Sequence, residues 1–136
     1  MSKAMDRKPR TKSDALHSAE RARKGIDARD FQRIIARSPL AIAEWGHALD
    51  LSERTLQRFR TSGTKLGRAY TDRVVQLANL MEHGLRVFGD AEKFRRWFER
   101  PNLALGGARP KDLIDTSFGT GLVDDELGRI EHGLFA

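Results

Sequence analysis

The chain contains no cysteine. That excludes a disulfide framework, thiolate zinc sites and thiol catalysis, and it suits a reducing, cytoplasmic setting. Long apolar runs are missing too. Nothing approaches the roughly 20 residues a membrane-spanning helix needs, so no membrane partner is expected. The first residues are charged from Lys3 onward and lack an apolar h-region, which argues against a signal peptide. No period-two run of β-branched residues is long enough for a strand. Metal-ligand spacing is likewise absent. His17, His47, His83 and His132 fall on different predicted elements, and Glu82 next to His83 does not share its helix face. Gly106-Gly107 and Gly119-Thr120-Gly121 follow no strand and lack the lysine of a phosphate loop. We therefore expect no enzyme, no cofactor and no metal.

What is present is length, charge and helical periodicity. At 136 residues the chain can bury a core without a metal or cross-link. Its net charge is +6 and its pI near 10.2, which points to a polyanionic partner. Residues 1–24 hold eight basic and three acidic side chains, residues 25–110 fifteen and ten, and residues 111–136 two and six. A basic front and an acidic end suggest two surfaces with different partners. Residues 1–24 have few large apolar groups and are expected to be a mobile basic arm, with weak helix over 15–24 as the alternative.

From Gly25 onward every pattern is helical. Asp27 is placed to cap a helix with Phe31, Ile34 and Ile35 on one face. Ser38, followed by Pro39, is expected to cap a second helix bearing Ile42, Trp45 and Leu49. Asp50-Leu51-Ser52 reads as a tight connection into a third helix, Glu53 to about Arg60, with Leu56 and Phe59 inward. A long amphipathic helix is expected from about Arg68 to Phe88. Asp90 then caps a short one that Pro101 ends, and a single turn follows over 111–115. A last helix over about 122–133 has Asp124 and Asp125 in its first turn, with Val123, Leu127 and Ile130 as core.

The second and third helices have the layout of a helix-turn-helix, whose second helix enters the major groove. Arg54, Thr55, Gln57, Arg58 and Arg60 would line that helix. Arg pairs with guanine, Gln with adenine, and Thr touches a thymine methyl. Ser52 at its start places backbone N–H groups for a phosphate. Lys65, Arg68 and Arg73 are further phosphate partners. Asp50-Leu51 replaces the usual small residue of the turn. A solvated basic hairpin is the plainer alternative.

The C-terminal string WFERPNLALGGARPKDLIDTSFGTGLVDDELGRIEHGLFA resembles the toxin-binding domain of the Xre/MbcA/ParS antitoxins. The family pattern runs through a tryptophan helix, Pro-Asn, Leu-Gly-Gly, a proline turn, a glycine and a closing Val-x-x-x-Leu-x-Arg-Ile-x-x-Gly. It is met here by Trp97, Pro101, Asn102, Leu105 to Gly107, Pro110, Asp112, Leu113, Gly119, Val123, Leu127, Arg129, Ile130 and Gly133. Phe98 and Ile114 depart from it, apolar for apolar. Residues 52–58 are similar to the family's Xre-like helix-turn-helix.

The helical patterns and the resemblance, which covers about residues 27–136, give an all-α fold. A basic arm (1–24), which matches nothing in the family, would precede a helix-turn-helix bundle with its connecting helix (25–88) and a small helical toxin-binding domain (89–136). The resemblance implies the antitoxin of a type II system whose partners are a RES-domain, NAD-attacking toxin and operator DNA. The C-terminal region would cover the toxin's active site, and the helix-turn-helix would repress the shared operon. A homodimer within a larger complex follows from the two-fold symmetry of operators. The acidic end suits a pocket built to attract a dinucleotide. The toxin-binding candidates are Arg129, Glu131, His132, Leu134, Phe135 and Ala136. Two alternatives stay open: a plain DNA-binding regulator whose C-terminal domain only dimerises, and a toxin-binding module with a degenerate helix-turn-helix.

Overall fold

The structure, a computed structural model, describes residues 11–62 and 65–135; of Phe135 only the backbone. The described residues form helices and no strand. They are α1 (Lys12–Lys24), α2 (Ala28–Arg37), α3 (Ile42–Leu49), α4 (Glu53–Ser62), α5 (Arg68–Phe88), α6 (Ala91–Phe98), a 3₁₀ turn (Leu103–Leu105), α7 (Pro110–Leu113) and α8 (Ser117–Phe135).

Residues 12–24 differ from the expected mobile arm. Thr11 and Asp14 close a capping box, with the Asp14 amide 3.1 Å from the Thr11 hydroxyl and the Thr11 amide 3.2 Å from the Asp14 carboxylate. Arg21, Arg23 and Lys24 sit in the last turn, where the helix dipole favours cations. Small and polar groups dock α1 on α5: Ala22 is buried, and Asn79 donates to the Ser18 hydroxyl at 2.9 Å. Large apolar residues were not needed, so composition alone missed the contact. Residues 1–10, the rest of the expected arm, lie outside the described residues.

Asp27 caps α2 as expected, accepting the Asp30 amide at 2.9 Å. Ser38 does not cap α3. A residue before proline is pushed toward extended backbone, and Ser38 (φ −98°, ψ 143°) ends α2 instead, accepting the Leu40 amide at 3.0 Å. Helix α3 begins after Ala41, whose amide donates to Glu44 at 2.8 Å.

Phe31, Trp45, Leu49, Leu56 and Phe59 form the core of α2 to α4, with Phe31 edge-on to Trp45 at 5.7 Å. Helix α5 spans the molecule and packs on α1, α3, α6 and α8. Its boundaries match expectation. At its end Phe94 lies over Gly84, where an added Cβ would come within 2.2 Å of the ring.

Helix α8 starts five residues earlier than expected. Thr116 caps it by accepting the Gly119 amide at 3.0 Å. A Cβ on Gly119 would lie 1.7 Å from the Leu113 carbonyl oxygen, so α7 and α8 cross too closely for any other residue. Asp124 is thus not in a first turn but inside the helix, buried against α5.

Candidate functional site

The turn between α3 and α4 sets the angle of the candidate reading helix. Asp50 ends α3 in the left-handed region (φ 55°, ψ 45°), and the Leu51 amide returns to the Gly46 carbonyl at 2.9 Å. Aspartate tolerates that conformation better than most side chains. The small residue missing from the turn stands one helical turn earlier. A Cβ on Gly46 would meet the Leu51 carbonyl at 2.9 Å and Leu56 at 3.2 Å. Ser52 then caps α4, accepting the Thr55 amide at 3.1 Å and donating to the Thr55 hydroxyl at 2.9 Å.

Leu56 and Phe59 pin α4 inward, which leaves Arg54, Gln57 and Arg58 exposed beside exposed Ser52. Neither arginine has a carboxylate partner among the described residues. Thr55 and Arg60 are half-buried, and the Arg60 Nε is enclosed without a hydrogen-bond partner. Lys65 donates to the Lys24 carbonyl at 3.2 Å, and Arg68 is exposed at the start of α5. Arg73 is not available for phosphate. Its guanidinium donates to the carbonyls of Ala48 (3.2 Å) and Ile114 and to the Thr120 hydroxyl (3.2 Å), tying α5 to α3 and α8. Burial lowers its pKa and Asp115 partly offsets this.

An ion pair also joins the halves. Arg95 on α6 forks onto Glu44 of α3 at 2.6 and 2.7 Å and donates to the Pro39 carbonyl at 2.9 Å; Lys111 lies 3.3 Å from Glu44. Burial acts to raise the Glu44 pKa, but the Arg95 bonds, the Ala41 amide and Lys111 outweigh it and hold it at about 2.

The other candidate residues lie at the end of α8. Arg129 is exposed and forks onto Glu126 at 2.9 and 3.1 Å; His132 and Leu134 are exposed. Glu131, grouped with them in the sequence, turns inward instead. It is 9% exposed, with Oε1 3.0 Å from His83 Nε2 and Oε2 3.4 Å from Arg86 Nε. The other His83 nitrogen, Nδ1, lies 2.7 Å from Asp124. His83 thus bridges two carboxylates of α8 from α5. Sequence reasoning missed this: Asp124 and Glu131 share a helix face, but their partner is 41 and 48 residues away. The Phe135 side chain and Ala136 lie outside the described residues.

Residues 17–79 match the family model of the antitoxin Xre-like helix-turn-helix domain, and residues 83–133 that of the antitoxin Xre/MbcA/ParS C-terminal toxin-binding domain. A relative that covers most of the chain supports both. It is named Prs ADP-ribosylating antitoxin, comes from Sphingobium sp. strain YBL2, and is 31% identical over 84% of this chain and 77% of its own length. The chain belongs to the Xre/MbcA/ParS antitoxin family. Other relatives include an Antitoxin Xre from Yersinia enterocolitica (32% identical, 69% of this chain, 64% of its own length). Another, from Photorhabdus laumondii, is 35% identical over 47% of this chain and 44% of its own length. The chain therefore spans under two thirds of these two. The antitoxin's two matched regions meet within α5, the helix on which both halves pack. Among its described residues no helix is long and apolar enough to cross a membrane.

Proposed function

We propose that this antitoxin neutralises a RES-domain, NAD-consuming toxin in a type II system and represses its own operon. The C-terminal end of α8 covers the toxin's active site, and α4 reads the operator as part of a homodimer. It works in the cytoplasm, where the NAD pool and the operon are.

One observation carries this reading: the chain presents two unlike exposed surfaces on helices with different packing partners. Helix α4, held by α2 and α3, offers Ser52, Arg54, Gln57 and Arg58 to DNA. Helix α8, held by α5, α7 and the 3₁₀ turn, offers Arg129, His132 and Leu134 at its end. Unpaired arginines on a capped helix favour a working reader over a degenerate one.

The test is co-expression with the toxin of the adjoining reading frame, followed by pull-down and an NAD assay. NAD should fall only when this chain is absent, and deleting Leu134 to Ala136 should restore the fall while leaving DNA binding intact. Full protection by the truncated chain would sink the covering role. The relative named for ADP-ribosylation supports a second version, in which the toxin transfers ADP-ribose from NAD to a protein. Labelled NAD separates the two, because the transferase leaves label on protein.

A further inference from the structure

Helix α8 carries an exposed stripe that begins well upstream of the covering end and runs into it at Arg129 and His132. Phe118, Leu122, Asp125, Arg129 and His132 follow one another at intervals of four and three residues, which places them on one side of the helix. All five are exposed, Phe118 at 91% and Leu122 at 54%. The opposite side is occupied: Thr120, Val123, Asp124, Leu127 and Glu131 are buried. Leu103, 96% exposed, stands on the 3₁₀ turn that packs against the same helix. Of the six exposed large apolar side chains among the described residues, four lie at Leu103 or later, so they concentrate in this half.

The glycines of α8 point the same way. Gly119 is explained inside the chain by the Leu113 carbonyl, as Gly84 is by Phe94. Gly121 and Gly128 are not. A Cβ at either would meet nothing within 4 Å, and glycine weakens a helix interior. They flank the exposed side seven residues apart and leave bare backbone where a partner can come close.

We propose that this stripe is the docking surface that holds the toxin, while the tail beyond it does the inhibiting. The inference rests on the toxin reading above. The occupant is the toxin because Phe118 to His132 lies wholly inside the region matching the toxin-binding domain and runs unbroken into the residues assigned to the active-site cover. Its apolar start and charged finish fit a toxin groove that accepts a helix, with an apolar floor leading to a polar pocket mouth.

The test uses the full chain and the tagged toxin of the adjoining reading frame, titrated by calorimetry. Phe118→Asp with Leu122→Gln should weaken toxin binding by at least about 30-fold, the scale of a buried hot spot. Helicity and DNA affinity should be unchanged, since an acid in the first turn of α8 suits its dipole. Gly128→Gln should weaken toxin binding while raising Tm. Deleting Leu134 to Ala136 should leave affinity within a few-fold but lose neutralisation. Wild-type affinity in the double variant overturns the stripe and leaves the antitoxin reading intact. A wild-type chain that binds no toxin overturns both. A free dimer that the double variant turns into a monomer, with toxin affinity unchanged, assigns the face to a second copy and also overturns the proposal.

Discussion

Around α4 the interior is aromatic and aliphatic, built from Phe31, Trp45, Leu49, Leu56 and Phe59. Between α5 and α8 the interior also holds His83, Asp124 and Glu131, with Arg86 at its edge and buried Thr120 one turn before Asp124. Apolar contact is non-directional and tolerates small rotations of a helix. A buried polar cluster is satisfied at one register only, and a half-satisfied one is costly. The orientation of α4 comes instead from its turn, through Gly46, Asp50 and the Ser52 cap. The lesson is that the two exposed surfaces are aimed by different devices: backbone geometry for α4, side-chain polarity for α8.

The largest effects should come from attacking each interior. Trp45→Ala should cost about 3–5 kcal/mol, the usual range for emptying an aromatic core site. His83→Ala should cost about 1–3 kcal/mol for each hydrogen bond it removes, since Asp124 and Glu131 both lose His83 while Glu131 keeps Arg86. Urea denaturation measures both. The contrast sharpens with a triple replacement, His83→Leu, Asp124→Leu and Glu131→Met. It should recover most of the stability but loosen the register of α8, and so weaken toxin binding more than it weakens the fold. A His83→Ala variant as stable as wild type would erase the difference between the halves.

That contrast also explains what was legible in the sequence. Local signals were readable wherever a side chain acts within its own turn. The Asp27 and Asp90 caps bond amides two or three residues on, and α5 is bounded by Arg68 and Phe88 as its apolar spacing and Gly89 suggest. The core of α2 to α4 was readable for the same reason. The polar seam was not, since the partners of His83 and of Arg95 are more than forty residues away. The exposed stripe of α8 is hidden by the expected boundary of that helix. Gly119 and Gly121 disfavour a helix on sequence alone, so the expected helix begins at about Leu122 and leaves out Phe118 and the cap at Thr116. Of the site, the exposed basic face of α4 followed from periodicity, whereas the inward turn of Glu131 needed the fold.

The two surfaces should separate next by ligand. Arg54→Ala and Arg58→Ala should each weaken operator binding by about 1–3 kcal/mol and relax sequence preference, whereas Arg68→Ala should weaken binding uniformly and lower its salt dependence. None should alter toxin binding. Mobility shifts at several salt concentrations read the first, and calorimetry with toxin the second. Equal losses on operator and random DNA for Arg58→Ala would demote it to a phosphate contact.

The join between the halves supplies a smaller, pH-dependent effect. Glu44 has its pKa held at about 2 in the folded chain, below the ordinary value of 4.5. The folded form therefore favours the ionised carboxylate, so this stability is fully present above about pH 4.5 and is lost as pH falls toward 2. With part of the pair open to solvent, roughly 1–2 kcal/mol is expected. Glu44→Gln should flatten that stretch of the Tm profile, and an unchanged profile would remove the pair as a coupling between halves.

The smallest effect tests whether backbone geometry really aims α4. Asp50 holds a left-handed conformation that glycine adopts freely, at the position after a helix where glycine is commonest. Asp50→Gly removes that strain but loosens the unfolded chain, so the two terms oppose each other and the net gain should stay under about 1 kcal/mol. Asp50→Ala keeps a Cβ in a left-handed conformation that aspartate tolerates better than alanine, and should lose about as much. If the turn aims the reader, Asp50→Gly keeps operator affinity or raises it slightly, since it also removes a negative charge next to DNA. A loss of operator affinity in a chain whose Tm has risen would show that α4 is oriented by something other than this turn.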